Sequence, residues 1–302
     1  MLGPVDLTLA TFNVKDLFEG GGRAPVLPAK LEEIALQLQR ADADVIGLEE
    51  VGSESLVRQV LDRMPCGEDY RVVFGIPDRR GIANALASRL PVLEQERITK
   101  ESLPFPRFVQ GDPEPFPGRL PLRRAVVRVK VTLGSHHLHV LCTHWKSKLP
   151  KRLELASGGD VPWDGALGRG EAELRSLVSR GAEALFLRGV IDRLAASGDE
   201  VALVGDLNDT ADSLPVRIVR GEGMPHALHP CAELVPHERR ISTLHRGSPE
   251  QIDHILVTER LHERLTGAGF FNEALRDHGP FDPGAPPTID SDHALLWARF
   301  NL

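Results

Sequence analysis

Five short apolar runs in this chain each close on a cluster of oxygen- and imidazole-bearing side chains. They are Thr11-Phe12-Asn13, Leu48-Glu49-Glu50, Gly205-Asp206-Leu207-Asn208, Ile252-Asp253-His254 and Ser291-Asp292-His293. Each cluster sits at the end of a β-like run, and none contains a thiolate. Carboxylates and amides are the donors that hard divalent ions such as Mg²⁺ prefer. A His beside an Asp is the common device for moving a proton near neutral pH. Strand termini spread from Thr11 to His293 are hard to explain as surface decoration, so the fold has to account for them together.

The intervening sequence alternates strand and helix patterns. Leu7–Asn13 and Val45–Glu50 read as strands, and Pro28–Arg40 reads as a helix with Leu31, Ile34, Ala35 and Leu38 on one face. Glu54–Met64 repeats the helical pattern, and Arg71–Gly75 and Ala83–Ser88 are short strands. In Ala125–Leu133 the residues Val127, Val129, Val131 and Leu133 face one way and Arg128, Lys130 and Thr132 the other, with His137–His144 as the hairpin partner. Glu171–Ala196 is a long helix expected to break near Gly181 or Gly189. Val201–Leu207, Ile252–Val257 and Ala294–Phe300 are strands, with a short helix near Leu214–Val219. Ser102–Pro121, Leu149–Gly170 and Arg276–Asp290 are loops by composition, placed to rim a cleft. No repeat or linker divides the 302 residues, so one domain, 1–302, is expected.

Charge is segregated. The net formal charge is −7, yet Arg119 to Arg152 holds nine Lys or Arg and no acid. Such a block beside His144 suits a polyanionic substrate; the plainer alternative is a sheet edge protected by charge. Within it, Lys146 shares the strand parity of His144 and can reach phosphate, and Lys148 adds longer-range attraction. Arg123 and Arg124 begin a strand, and one of the two is expected in the cleft. Cys66, Cys142 and Cys231 are odd in number and widely spaced, which argues against a disulfide framework and a cysteine zinc site. No apolar run spans a bilayer, and the first residues lack a secretory pattern. The default expectation is a cytoplasmic monomer, or a secreted form if the chain is trimmed.

Asp206 and Asn208, two apart on a strand, should project to one face, where they could orient water and donate to a phosphoryl oxygen. Alone, Asp-Leu-Asn-Asp would be an ordinary turn. Asp277-His278, in a Pro/Gly-rich loop, is set aside. His254 is expected to be structural, and His136, His137, His139 and His245 to be surface residues.

The order of these motifs resembles the endonuclease/exonuclease/phosphatase superfamily over nearly the whole chain. The further matching pieces are Asn84-Ala85-Leu86-Ala87-Ser88-Arg89 and Thr143-His144-Trp145-Lys146-Ser147-Lys148. The His-containing latter segment resembles the deoxyribonuclease-like and bacterial extracellular-nuclease-like branches. Two departures are Glu49, where the family often has Gln, and Ala294-Leu295, where a proline often follows the terminal His. The resemblance implies an α+β fold, a four-layer α/β/β/α sandwich of two stacked mixed sheets flanked by helices. It implies a hydrolase using Mg²⁺ (or Mn²⁺), with Asn13, Glu50 and Asp292 as metal ligands. Asp253 and His293 would form a dyad, with His144, Asp206 and Asn208 completing the catalytic set. The implied substrate is nucleic acid, DNA ahead of RNA, cut by in-line attack of water. The alternatives are a phosphomonoesterase, a lipid phosphodiesterase using Phe105, Phe108 and Phe116 as an apolar loop, or a non-catalytic binding module.

Overall fold

The computed structural model describes residues 6–20, 22–105, 120–134, 136–151, 165–245, 247–279 and 286–302. In chain order its main elements are β1 (Asp6–Leu17), α1 (Leu27–Ala41), β2 (Val45–Val51), α2 (Glu54–Leu61), β3 (Arg71–Phe74) and β4 (Ala83–Ser88). These are followed by β5 (Val92–Ile98), β6 (Val126–Leu133), β7 (His136–His144), α3 (Ala166–Ala195), β8 (Glu200–Asp206) and α4 (Leu214–Arg220). The last are β9 (Leu228–Pro230), β10 (Thr243–His245), β11 (Ser248–Glu250), β12 (Asp253–Thr258), β13 (Leu265–Phe271) and β14 (Leu295–Asn301).

Two six-stranded mixed sheets form the centre. Their orders are β13-β14-β1-β2-β4-β3 and β5-β6-β7-β8-β12-β9, and β10 and β11 pair separately. Each sheet has one parallel pair, β1 with β2 and β7 with β8, and antiparallel neighbours on both sides. The sheets stack face to face through Leu9, Val45, Leu86, Val129, Val140, Val204 and Ile255. On the outer face of the first sheet, Leu31, Ile34 and Leu38 of α1 and Val57 and Val60 of α2 pack on Ile46 and Leu48. On the outer face of the second, Leu187 and Ile191 of α3 and Val216 and Val219 of α4 pack on Leu141 and Leu203. The result is the α/β/β/α sandwich expected from the resemblance. Burial of such apolar faces stabilises by about 25 cal/mol per Å².

Two glycines let backbones approach. A Cβ at Gly47 would lie 2.8 Å from Val204 Cγ2 across the sheet interface. At Gly205 the φ is +138° and a Cβ would meet the Thr143 carbonyl oxygen at 1.9 Å. Any side chain there would push β8 from β7 one residue before Asp206.

Several sequence expectations change. Helix α3 runs unbroken for 30 residues. The cost of an interior glycine, roughly 1 kcal/mol, is outweighed because Ala184, Leu187, Val190 and Ile191 dock on the sheet. It begins at Ala166, inside the segment expected to be loop. β5 and β13 were not legible as strands: β5 is an almost wholly exposed edge, Val-Leu-Glu-Gln-Glu-Arg-Ile, with no alternation to read, and β13 carries two glycines. Phe108 and Phe116 lie outside the described residues, as do Arg119 and Arg152. No helix among the described residues is long and apolar enough to cross a membrane.

Candidate active site

Strand register brings the polar termini together. His144 pairs across to Asp206 in β7 and β8, and Asp206 pairs across to Asp253 in β8 and β12. Three chemically active residues from three strands therefore form one transverse row at one edge of the second sheet. His293, just before β14 of the first sheet, reaches over this row. Its Nδ1 lies 2.8 Å from Asp253 Oδ2, and its Nε2 lies 3.9 Å from Asp206 Oδ2. The Ser242 hydroxyl accepts the backbone N–H groups of Ile252 and Asp253 and fixes the start of β12. The Ser291 hydroxyl donates to the Asn13 carbonyl (2.7 Å) and accepts the His293 N–H, tying the last motif to the first.

The first sheet presents its residues on irregular backbone. Asn13 and Glu50 do not end their strands as the sequence suggested. β1 continues to Leu17 and β2 to Val51, with a register shift between Asn13 and Leu17. Lys15, Asp16 and Glu50 have φ of 48°, 51° and 63°. A bulge bends the strand and re-aims its side chains. Asn13 Nδ2 donates to Asp206 Oδ2 (3.0 Å), linking the two sheets. Glu50 Oε2 accepts the Asp16 N–H, leaving Oε1 3.9 Å from His144 Nε2.

Asp206 and Asn208 meet, but not through strand parity. β8 ends at Asp206, and Asn208 turns back with φ 52°. Its backbone N–H donates to Asp206 Oδ1 (2.8 Å), and its Nδ2 donates to Asp206 Oδ2 (3.1 Å) and to the Trp145 carbonyl. Asp206 thus collects donors from three directions.

Burial and charge give the two imidazoles opposite character. His144 is held well below the usual histidine range, first by burial and then by Arg124, His293, Arg123 and Arg80. It is a neutral ring 3.4 Å from Asp206 Oδ2, and its Nδ1 has no hydrogen-bond partner among the described residues. For His293 burial also disfavours charge, but Asp253, Asp206 and Asp292 outweigh it and raise its pKa well above the ordinary value. The carboxylates therefore favour its charged form. Asp206 is pushed up to about 7, by burial first, with His293 opposing and Asp253 reinforcing.

Glu49 lies directly beneath, fully buried, accepting from Thr11 Oγ1 (2.8 Å) and Cys142 Sγ (3.1 Å). Burial and the Asp253 charge push it up to about 8. Near neutral pH it is a neutral carboxylic acid. That is an uncharged stand-in for the amide often found here in the resembled family.

The substrate-side residues distribute less simply. The Arg124 side chain is 3% exposed, and its Nη1 donates to the carbonyls of His144 and Trp145; it braces the site from inside rather than lining the cleft. Arg123 is 34% exposed and is the arginine at the surface. The two lysines expected to attract phosphate both have protein partners. Lys146 Nζ folds back onto Ser147 and the Leu149 carbonyl, and Lys148 Nζ is held by both oxygens of Glu250. Asp292 pairs with Lys15 Nζ (2.9 Å), a residue the sequence reading missed because the bulge breaks parity after Asn13. His278, set aside from sequence, contacts the same Lys15 amine and faces Asp290 at 3.3 Å.

Among the described residues, Asp206, Asp253 and His293 have the spacing of a cation site. The His293 Nδ1 to Asp253 hydrogen bond makes that trio a proton-handling dyad beside a carboxylate rather than an open cage. The donors that fit an oxygen-preferring divalent ion are elsewhere. Glu50 Oε1 faces the site, Asn13 Oδ1 has a spare lone pair, and Asp292 already holds a cation, the Lys15 ammonium.

Residues 10–293 match the model of the Endonuclease/Exonuclease/phosphatase family, and the chain belongs to that family. Members are hydrolases of phosphoric esters that use divalent metals. The chain is similar to truncated TDP2 from Caenorhabditis elegans, with 14% identity, 98% of each chain covered and a TM-score of 0.63. It is similar to a mannosyl-6-phosphatase from Bacteroides thetaiotaomicron at 15% identity, covering 97% of this chain and 98% of that one, with a TM-score of 0.62. It is also similar to D. rerio TDP2 complexed with single strand DNA product, at 17% identity over 98% and 99%, with a TM-score of 0.59. These likenesses show the fold. No curated protein matches the chain in sequence.

Proposed function

We propose that this chain is a metal-dependent phosphodiesterase, one catalytic domain that hydrolyses nucleic-acid phosphodiester bonds by in-line attack of water. The observation that carries the reading is the row His144, Asp206, Asp253 capped by His293, whose Nδ1 lies 2.8 Å from Asp253 Oδ2. Asp206 takes the proton from the attacking water; a proton affinity near neutrality suits a general base. His293, oriented through Nδ1 by Asp253, presents Nε2–H to a phosphoryl oxygen and stabilises the charge that builds there. His144 hydrogen-bonds the phosphoryl or leaving oxygen through its neutral ring. Asn208 orients Asp206. Glu50, Asn13 and Asp292 would hold Mg²⁺ or Mn²⁺, which when bound supplies Lewis-acid charge to the phosphate and lowers the pKa of bound water. Lys15 then has to leave Asp292 or share it.

One fold hosts several substrates, so the readings differ in the ester attacked. DNA is favoured by the likeness to the TDP2 structure holding a single strand DNA product. A phosphomonoesterase is the second reading, favoured by an equally close likeness to the mannosyl-6-phosphatase. The test is purified protein on plasmid DNA, linear DNA, RNA, a chromogenic diester, inositol phosphates, sphingomyelin and sugar phosphates, each with Mg²⁺, Mn²⁺ and chelator. Cleavage of nucleic acid well above every monoester supports the proposal. Turnover of monoesters alone overturns it.

A further inference from the structure

Of the basic block read from the sequence, Lys146 and Lys148 are engaged internally in the folded chain. Further cations lie beside His144 on the turn between β3 and β4 and in the segment before β6. Between β3 and β4 the chain forms a tight turn organised by Asp78. Its Oδ1 accepts the backbone N–H groups of Arg80 (2.8 Å) and Ile82 (3.2 Å), and its backbone pairs with Ile82. Its Oδ2 lies 3.4 Å from Arg123 Nε and 3.5 Å from Arg124 Nε. One carboxylate thus fixes the turn that carries Arg80 and anchors two arginines arriving from the segment before β6. Arg124 continues inward to the His144 carbonyl.

The guanidinium groups of Arg123 and Arg124 share that single acid, and Arg80 adds a third positive charge on the turn it fixes. Arg80 and Arg123 both lie close enough to depress the Arg124 and His144 pKa values. The Arg80 guanidinium is exposed and has no hydrogen bond or ion pair among the described residues. Arg123 Nε lies 3.4 Å from Asp78 Oδ2, and its terminal nitrogens have no partner among the described residues. Like charges held together destabilise the fold unless an anion binds between them. Guanidinium forks match phosphate geometry.

We infer that Arg80 and Arg123, held by Asp78 beside His144, form a second anion subsite that takes the backbone phosphate next to the scissile one in a nucleic-acid strand. The inference rests on the nuclease reading for its ligand and adds a requirement for a neighbouring phosphate. A mononucleotide or sugar phosphate has no group to place there.

The probe is a short fluorescein-labelled single-stranded oligodeoxynucleotide, bound to the full chain in chelator and followed by anisotropy over a salt series. Inorganic phosphate is the competitor. Arg80→Ala and Arg123→Ala should each weaken oligonucleotide binding about tenfold and lower the log–log salt slope by ~0.7, the value per phosphate for a single strand. The phosphate inhibition constant should move less than about twofold. Arg264→Ala removes the same charge at the far end of β14, where the Arg264 carbonyl bonds Asn301, and serves as the reference. If Arg80→Ala binds like Arg264→Ala, the subsite does not exist. If Asp78→Asn, which loosens the turn, binds as tightly as wild type, the proposed scaffold is wrong. Failure of the nuclease reading looks different: wild type would cleave no oligonucleotide with Mg²⁺ or Mn²⁺ yet still bind it in an Arg80-dependent way.

Discussion

Strand β7 carries two buried imidazoles, and they live in opposite chemical circumstances. His139 is fully engaged: its Nδ1 meets Arg128 Nη1 at 3.0 Å, and its Nε2 meets Asp199 Oδ2 at 3.1 Å. Lys130, Glu94 and Glu96 complete that network. His144, five residues on, has an unpartnered Nδ1 and an Nε2 that only approaches Asp206 and Glu50. Both rings are depressed by burial and by an adjacent arginine. One end of the strand has its polar groups satisfied, and the other holds polar groups ready for a partner. A buried polar group without a bond costs roughly 1–3 kcal/mol, which a fold retains where function needs it.

The widest separation between the two ends should appear in rate. His293→Ala and Asp253→Ala are each expected to lower kcat by ~10³-fold or more. The double variant should be little worse than the poorer single, because residues acting as one unit are non-additive. Multiplying losses would show that the two act separately. Glu50→Gln keeps the shape but weakens a carboxylate donor, and a loss of at least about tenfold is expected, partly recovered at high Mg²⁺. Titration of the variant with Mg²⁺ checks this; wild-type turnover at limiting and saturating metal would remove Glu50 from the site.

At the other end the readout is stability. His139→Ala should cost ~1–3 kcal/mol in denaturant unfolding, by removing one partner each from buried Arg128 and from Asp199, while kcat/KM stays within about twofold. A large loss of rate without loss of stability would erase the contrast. At most comparable is the pH effect of Glu183 on α3, which accepts the Lys146 N–H (2.9 Å) behind the site. Burial raises this carboxyl from 4.5 to about 7, against the backbone bond and nearby arginines. A raised acid binds its proton more tightly when folded. Its contribution is therefore full below pH about 4.5 and is lost as pH rises through about 7. The ceiling is on the order of 3 kcal/mol. Glu183→Gln should flatten the stability profile over that window, and an unchanged slope in pH-dependent unfolding would contradict it.

The sequence made the site's membership legible because strand period and motif order are local. Asp253, Asp206 and His144 are drawn together by register, which pairs termini that an apolar run already marks, and His293 joins them through its bond to Asp253. The approach of Asn208 to Asp206 was expected for the wrong reason, since a left-handed turn does what strand parity was expected to do. What stayed hidden depends on bulges and tertiary charge pairing. Lys15 sits past a bulge, Lys148 meets Glu250 from a distant strand, and Arg80 is one exposed arginine in a turn until Asp78 and Arg123 are seen around it. His139 was taken for a surface residue because its partners come from β6 and the approach to β8.

The central claim is that the His144–Asp206–Asp253 row, capped by His293, is a phosphodiester-cleaving centre. Its most direct test is single-turnover cleavage of a labelled oligonucleotide by wild type and Asp206→Asn. Cleavage by wild type in Mg²⁺ or Mn²⁺, abolished by chelator and reduced ~10³-fold or more in Asp206→Asn with binding retained, is the predicted result. Equal cleavage rates for the two proteins would contradict the claim.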